Sequence, residues 1–312
     1  MCCLFGVVDH ALSLTRRQRQ RLVSSLSIAA QARGTDATGL AYCSDGYLRI
    51  CKAPRPARAV RFRIPADASV MMGHTRMTTQ GSASRNYNNH PFGGKAGGMP
   101  FALAHNGVLW NDDLLRRSLG LPATRIETDS YAAVQILEKQ GALTFSALRY
   151  MAEQVDGSFV FTVLDQENRL YVVKGDNPFC LWYFPQSGCY AYASTEAILQ
   201  EGLCRSRLDL GRHETISVHC GEILCLEAGH AISRERFDDA HLLRGCMFSP
   251  WQGAGRHQRA EALCKDEPYL EALRSVAPSF GYTESDVALL THQGFSPMEI
   301  EELFYCGEGY AQ

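Results

Sequence analysis

The sequence predicts an α+β fold built on largely antiparallel sheets. Apolar segments of strand length follow one another in runs, and segments of helical period form runs of their own. The strict alternation of strand and helix that is typical of a parallel sheet is therefore missing. The chain has 312 residues, which is enough for one large domain or for a domain with an appendage.

The first elements are predicted to be a strand, a helix and a hairpin. Residues 4–8 form a short apolar run, and apolar residues recur at helical spacing over 14–33 until Gly34 interrupts the pattern. Ser44-Asp45-Gly46 is a turn signature, which predicts a hairpin formed by residues 37–42 and 47–51.

The remaining elements of the main domain follow from the same patterns. Further strands are predicted over 70–75, 101–105, 158–164, 169–173, 180–184 and 189–193. Further helices are predicted over 111–119, 128–140, 144–154 and 195–203. The glycine- and asparagine-rich stretch 78–99 is predicted to be a loop, and 214–226 a hairpin that turns at Gly221.

Composition predicts a change of domain near residue 240. Glycine, proline and tryptophan accumulate after it, so we predict a main domain over 2–240, a linker over 241–258 and a small helical region over 259–312. Within that region three short helices are predicted, over 259–275, 283–292 and 296–306. The region is locally acidic, and it either holds a partner or caps the main domain.

Bulk properties exclude several classes of protein. A net charge of −2 offers no general attraction to nucleic acid or to an anionic membrane, and no apolar run approaches membrane-spanning length. The 12 cysteines are scattered without metal-binding spacing, so no metal site is expected. Because no signal peptide is recognisable, we expect a cytoplasmic protein with reduced thiols.

Cys2 is the first candidate for chemistry. Removal of the initiator methionine would leave a cysteine that carries both a thiol and a free α-amine. A thiol is mostly protonated at neutral pH and needs a base, and an α-amine has a pKa of about 7.7–8.0 in model peptides. One residue can therefore supply both the nucleophile and the general base.

Five downstream segments accompany Cys2 in a fixed order: Arg33-Gly34-Thr35-Asp36-Ala37-Thr38-Gly39, Gly73-His74-Thr75-Arg76, Ala104-His105-Asn106-Gly107, Glu127-Thr128-Asp129-Ser130 and Asp156-Gly157-Ser158-Phe159. Together they resemble the class II glutamine amidotransferase domain, an N-terminal-nucleophile hydrolase, over about residues 2–226. The similarity is to the glutaminase halves of amidophosphoribosyltransferase and glucosamine-6-phosphate synthase. It implies that 2–240 is a glutaminase domain folded as a four-layer αββα sandwich.

The resemblance also implies the catalytic groups. Cys2 would be the nucleophile and its own α-amine the base, and no metal or cofactor would be needed. The side-chain amide of Asn106 and the backbone N–H of Gly107 would form the oxyanion hole, a role that suits neutral donors. From the residues alone, Asn106-Gly107 is more typical of a type I′ turn. The resemblance places Arg33 as structural support beneath the nucleophile strand, and we expect His74, His90 and His105 to be structural.

Substrate contacts are implied at four positions. Arg76 resembles the arginine that binds the α-carboxylate of glutamine, and a planar guanidinium suits that group. Asp129 resembles the residue that binds the α-ammonium, and Thr78 or Thr79 would touch the carboxylate. The alternatives are a structural salt bridge for Arg76 and a helix N-cap for Asp129.

Two departures from the family pattern bear on function. Cys3 replaces a glycine, and its side chain either crowds the site or competes as a second thiol. No acceptor domain is recognisable after the glutaminase domain, so we expect ammonia from L-glutamine to reach a separate synthase partner. The alternative assembly is a homo-oligomer. The alternative functions are hydrolysis of another γ-glutamyl amide and a non-catalytic glutamine-binding regulatory module.

Overall fold

The computed structural model describes residues 2–240, 242, 267–280, 282–293, 297, 300, 301 and 304. Contacts divide the chain into two compact units, residues 1–248 and 249–312. The predicted linker 241–258 lies outside the described residues apart from position 242, and the domain boundaries stay a prediction. Within the described residues, no helix is both long enough and apolar enough to span a membrane.

The first unit contains thirteen strands in the part of the chain described. They are β1 (Cys3–Val8), β2 (Ala37–Ser44), β3 (Tyr47–Ala53), β4 (Val70–Arg76), β5 (Phe92–Ala96), β6 (Met99–Leu109), β7 (Gly157–Asp165), β8 (Leu170–Lys174), β9 (Cys180–Phe184), β10 (Cys189–Ala193), β11 (Glu214–Thr215), β12 (Glu222–Leu226) and β13 (Ser233–Arg236). Sheet I has the order β11-β9-β10-β1-β4-β2-β3, and sheet II has the order β13-β12-β8-β7-β6-β5. Neighbouring strands pair antiparallel throughout, as the sequence predicts.

The helices of the first unit are α1 (Arg16–Ala30), α2 (Asp112–Ser118), α3 (Tyr131–Gln140), α4 (Phe145–Gln154) and α5 (Glu196–Ser206). Side-chain caps explain where several begin. Thr15 and Gln18 form a reciprocal capping box at α1, and Thr144 and Thr195 accept hydrogen bonds at the starts of α4 and α5. The second unit contains α6 (Glu267–Val276) and α7 (Glu284–Gln293), which pack around a small apolar cluster that includes Leu270, Leu273 and Val287.

Three apolar clusters show how the layers of the first unit stack. The first lies between the sheets and joins residues such as Leu4 and Met72 of sheet I to Ala104 and Val160 of sheet II. The second packs the outer face of sheet I against α1 and α5, and the third packs the outer face of sheet II against α2, α3 and α4. Helix, sheet, sheet and helix therefore form four successive layers, which confirms the αββα sandwich.

Three sequence predictions differ from the structure in detail. The segment 78–99 contains strand β5, which its glycines conceal but which pairs with β6 along its whole length. The predicted hairpin 214–226 is wrong, because β11 pairs with β9 in sheet I whereas β12 pairs with β8 in sheet II. β12 pairs on its other side with β13, which the sequence analysis missed. The partners of β11 and β12 in β9 and β8 are distant in sequence, so local composition does not reveal these pairings.

A buried ion pair lies at the end of β1. The Asp9 carboxylate, which is fully buried, accepts a hydrogen bond from Arg19 Nη1 at 3.1 Å and others from the backbone N–H groups of Ser13 and Leu14. This carboxylate therefore joins the end of β1 to the start of α1.

We expect Asp9→Ala to lower the free energy of unfolding by about 3–5 kcal/mol, because it leaves the Arg19 guanidinium buried without its charged partner. Urea unfolding followed by circular dichroism measures the change. Glu201→Ala is the matched control, since it removes an exposed i,i+4 pair with Arg205 and should change stability by less than about 1 kcal/mol. Equal losses in the two variants would contradict a structural role for the Asp9 pair.

Candidate active site

The N-terminal end of β1 brings Cys2 beside the end of β4. Cys3 pairs with Thr75, so Cys2 lies next to the position of Arg76. The Cys2 Sγ lies 3.4 Å from the carbonyl oxygen of Met77, and Arg33 Nε donates a hydrogen bond to the Cys2 carbonyl at 3.0 Å. The predicted supporting role of Arg33 is thus confirmed, and Cys2 itself is half-buried.

Burial raises the pKa of the Cys2 thiol above its ordinary value, whereas the terminal charge of the chain and the guanidinium of Arg76 act to lower it. The negative charge of Asp129 also raises the pKa. A thiol with a raised pKa is protonated at neutral pH, so nucleophilic attack by Cys2 requires a base.

Arg76 is the last residue of β4 and is almost fully buried. It donates one hydrogen bond to Asn89 Oδ1 at 2.7 Å and another to the Gln80 carbonyl. No carboxylate forms an ion pair with Arg76 among the described residues, so the structural salt bridge is wrong. The backbone at Gly34 passes close to the backbone of Arg76. Only glycine permits this approach, because a Cβ at position 34 would lie 2.4 Å from the Arg76 carbonyl carbon.

Asn106 and Gly107 lie inside β6, paired with Val160 and Phe159 of β7, so the predicted alternative of a type I′ turn is wrong. Asn106 is fully buried, and within the described structure neither its side-chain oxygen nor its side-chain nitrogen has a hydrogen-bond partner. Leaving a buried polar group unpaired costs about 1–3 kcal/mol, and this amide keeps its donor and its acceptor available to a ligand. Gly107 has a φ of 141°, which favours glycine.

A hydrogen bond between the sheets places Asn106 at the level of Cys2 and Arg76. His74 Nε2 of β4 lies 2.9 Å from the carbonyl oxygen of His105 in β6. His74 is two residues before Arg76, and His105 is immediately before Asn106. This contact between the sheets therefore lies close to Arg76 on β4 and to Asn106 on β6.

Asp129 is buried and lies just before α3. Its Oδ2 accepts a hydrogen bond from the Leu109 N–H at 2.6 Å, and its Oδ1 accepts one from Ser130 Oγ at 3.1 Å. Because Asp129 caps no helical N–H and the N-cap position of α3 is Ser130, the helix-cap alternative is wrong. The charge of Asp129 affects the pKa of both Cys2 and Arg76, so these three groups lie within electrostatic reach of one another.

Comparison with curated proteins identifies relatives over about half of the chain. Glutamine–fructose-6-phosphate aminotransferase [isomerizing] of Geobacillus kaustophilus (strain HTA426) is 34% identical over 154 residues, which cover 47% of this chain and 25% of that protein. The enzyme of the same name from Sulfurisphaera tokodaii is 30% identical over 187 residues, 57% of this chain and 31% of that protein. The chain thus matches only a quarter to a third of the length of these relatives. No protein-family model matches it.

Solved structures show the same fold. The glutamine phosphoribosylpyrophosphate amidotransferase of B. subtilis superposes with a TM-score of 0.59 at 19% identity, over 76% of this chain and 49% of that one. A structure described as the allosteric regulatory enzyme of purine biosynthesis gives a TM-score of 0.61 at the same identity and coverage. The resemblance to class II glutamine amidotransferase domains that the sequence predicts is therefore confirmed. The N-terminal-nucleophile type of fold is confirmed.

The two threonines that are predicted to contact the substrate differ in exposure. The backbone N–H of Thr78 donates to Asp36 Oδ2 at 2.7 Å, which holds the loop after β4. Its Oγ1 is buried without a hydrogen-bond partner in the described structure. Thr79 is exposed. The geometry therefore favours Thr78 over Thr79 as a substrate contact, and both assignments stay predictions.

The three histidines pack against one another behind the site. The rings of His74 and His90 have centroids 4.3 Å apart, and those of His90 and His105 are 6.4 Å apart. Burial lowers the pKa of all three, that of His74 to about 3, so the rings are neutral. Among the described residues no group of three His, Cys, Asp or Glu side chains is arranged to hold a metal ion.

Cys3 does not crowd the site. Side chains alternate along a strand, so Cys3 faces away from the side that Cys2 and Leu4 share. Cys3 is fully buried in the apolar layer between sheet I and its helices, and burial raises the pKa of its thiol. Crowding by Cys3 and competition from it as a second thiol are therefore wrong.

Sequence reasoning missed the residues that hold the two charged side chains, Arg76 and Asp129. Asn89 and Gln80 hold Arg76, and Ser130 holds Asp129. Ser130 is linked in turn to His105 Nδ1 at 2.7 Å. Asn89 and Ser130 belong to polar segments noted in the sequence, but Asn89 contacts Arg76 and Ser130 contacts His105, which lie in other segments.

The burial of Cys3 predicts selective alkylation. We expect iodoacetamide to add one group to the N-terminal tryptic peptide of the native protein, because only Cys2 in that peptide is accessible. Cys3→Ala should still take up one group and Cys2→Ala none until urea exposes Cys3, as peptide mass spectrometry would show. Two groups on the native wild-type peptide would contradict this assignment.

Proposed function

We propose that the domain hydrolyses the side-chain amide of L-glutamine to glutamate and ammonia through a γ-glutamyl thioester on Cys2. The observation that carries the proposal is the fully buried amide of Asn106, which has no partner in the described structure and lies at the level of Cys2 and Arg76. The names of the curated relatives support it, since they state glutamine as a substrate.

A free amino acid would be selected by its two charged ends. The Arg76 guanidinium binds the α-carboxylate, since its hydrogen-bond partners in the described structure are a neutral amide and a carbonyl. The Asp129 carboxylate binds the α-ammonium while Leu109 and Ser130 hold it in place. Thr78 supplies a hydroxyl beside the carboxylate, and Thr79 is the weaker candidate.

The reaction proceeds in two steps. The α-amine of processed Cys2 takes the thiol proton as the sulfur attacks the amide carbon, and the oxyanion accepts hydrogen bonds from Asn106 Nδ2 and the Gly107 N–H. The C–N bond then breaks, and the amine returns its proton to the departing ammonia. Water hydrolyses the thioester and regenerates Cys2 with release of glutamate.

The ammonia passes to an acceptor. The curated relatives are named as aminotransferases acting between glutamine and fructose-6-phosphate, and the matched region is the smaller part of each. We therefore propose that a synthase partner, or an assembly of copies of this chain with such a partner, consumes the ammonia.

Glutamate and ammonia release from L-glutamine tests the proposal. We expect the wild-type chain, with loss of Met1 confirmed by intact mass, to release both products in equal amounts and Cys2→Ala to release neither. Faster turnover of another γ-glutamyl amide would show that this amide, and not glutamine, is the substrate. Tight glutamine binding without turnover by correctly processed wild-type protein would overturn the catalytic role.

Arg76→Lys tests substrate recognition. We expect KM for glutamine to rise about 10- to 100-fold, because a hydrogen bond between charged groups contributes about 1.5–3 kcal/mol and lysine lacks the planar fork. Arg85→Lys is the matched control, since Arg85 is an exposed arginine that pairs with Glu127. Steady-state kinetics measure both, and an equal KM in the two variants would contradict the role of Arg76.

A further inference from the structure

Asn177 lies in the loop between β8 and β9 and reaches the proposed oxyanion hole from behind. It is 8% exposed, and its side-chain nitrogen donates one hydrogen bond to the Asn106 carbonyl at 3.1 Å and another to Ser158 Oγ at 2.8 Å. No sequence pattern predicts a role for Asn177.

The peptide bond that Asn177 contacts is the one that carries the proposed donor. The carbonyl of Asn106 and the N–H of Gly107 belong to the same planar amide. A hydrogen bond to that oxygen draws electron density from the amide nitrogen and makes its N–H a stronger donor, the polarisation that gives hydrogen-bond chains their cooperativity. Asn177 therefore acts on the Gly107 N–H without touching the substrate.

Close packing fixes the same peptide in orientation. A Cβ on Gly107 would lie 1.8 Å from the Ser158 carbonyl oxygen and 2.7 Å from Asn177 Nδ2, so both groups pack directly against the Gly107 backbone. A donor aimed at a developing oxyanion must be held in place before the reaction, and this packing leaves the peptide little room to tilt.

The loop that carries Asn177 is itself anchored at the same level. Asp176 Oδ1 accepts a hydrogen bond from the Phe159 N–H at 2.9 Å, and the Gly175 N–H donates to the Phe159 carbonyl at 3.1 Å. Phe159 is the residue of β7 that pairs with Gly107. The loop, β7 and β6 therefore form one rigid stack behind the Asn106–Gly107 peptide.

We infer that Asn177 is a positioning residue that polarises and orients the Gly107 N–H for stabilisation of the oxyanion. This inference rests on the proposed glutamine hydrolysis. A role in folding alone would lower stability and leave the kinetics of the folded fraction unchanged, whereas a positioning role lowers kcat.

Kinetics provide the first test. We expect Asn177→Ala to lower kcat for glutamine about tenfold with KM nearly unchanged, a smaller effect than the roughly 10²–10³ of losing an oxyanion donor outright. Asn177→Asp keeps the size of the side chain but replaces the donor by an acceptor, so kcat should fall at least as far. Ser158→Ala removes only the second hydrogen bond of Asn177 and should lower kcat less. Urea unfolding shows that each variant is folded.

Nuclear magnetic resonance provides a readout that does not depend on activity. Asn106-Gly107 is the only Asn-Gly pair in the sequence, so protein labelled with ¹³C-carbonyl asparagine and ¹⁵N-glycine gives a single amide–carbonyl correlation peak. Loss of the hydrogen bond to the carbonyl should shift the ¹³C and ¹⁵N frequencies of this peak in Asn177→Ala and Asn177→Asp, and less in Ser158→Ala.

The outcomes separate this inference from the proposed function. An active wild-type enzyme whose kcat is unaffected by folded Asn177→Ala would overturn the positioning role alone, as would an unshifted peak. A wild-type protein without hydrolysis would overturn the proposed function together with the catalytic part of this inference. A lower kcat accompanied by a shifted peak supports the inference.

Discussion

The face-to-face contact between the two sheets determines where each candidate group lies. Cys2 and Arg76 come from sheet I, whereas Asn106 and Gly107 come from sheet II. The apolar layer that includes Leu4, Met72, Ala104 and Val160 holds the sheets together. A slip of one residue in β1 or β6 would turn the site residues to the opposite face of their sheet, so this apolar layer also sets the register of the site.

The site keeps two opposite charges buried without pairing them to each other. Arg76 is held by a carbonyl and an amide oxygen, and Asp129 by a backbone N–H and a hydroxyl. Neutral partners satisfy part of the hydrogen-bonding capacity of each group without cancelling its charge. A zwitterion can then pair with both charges and fill the remaining hydrogen-bonding positions of each group. This is the physical basis for proposing a free amino acid as the substrate.

Gln80 connects the two recognition residues. Its carbonyl accepts a hydrogen bond from Arg76, and its side-chain oxygen accepts one from the Asp129 N–H at 2.9 Å. The loop after β4 is thereby tied to the start of α3, and Asp36 holds it from the other side through Thr78. Displacement of this loop would disturb both ends of the substrate at once, so substrate binding and loop position are linked through one side chain.

The sequence by itself determined most of the strands and helices, the antiparallel sheets and the residue types of the site. The thiol at Cys2, the carboxylate at Asp129 and the polar segments around Asn106 are local features, which spacing and chemistry can reveal. Only the tertiary structure decided between a turn and a strand at Asn106-Gly107, and between a helix cap and a carboxylate held by Leu109 and Ser130 at Asp129. It also turned Cys3 away from the site and brought Asn177 behind Gly107. These outcomes depend on strand pairing and on contacts between residues that are far apart in the chain, which no local pattern encodes.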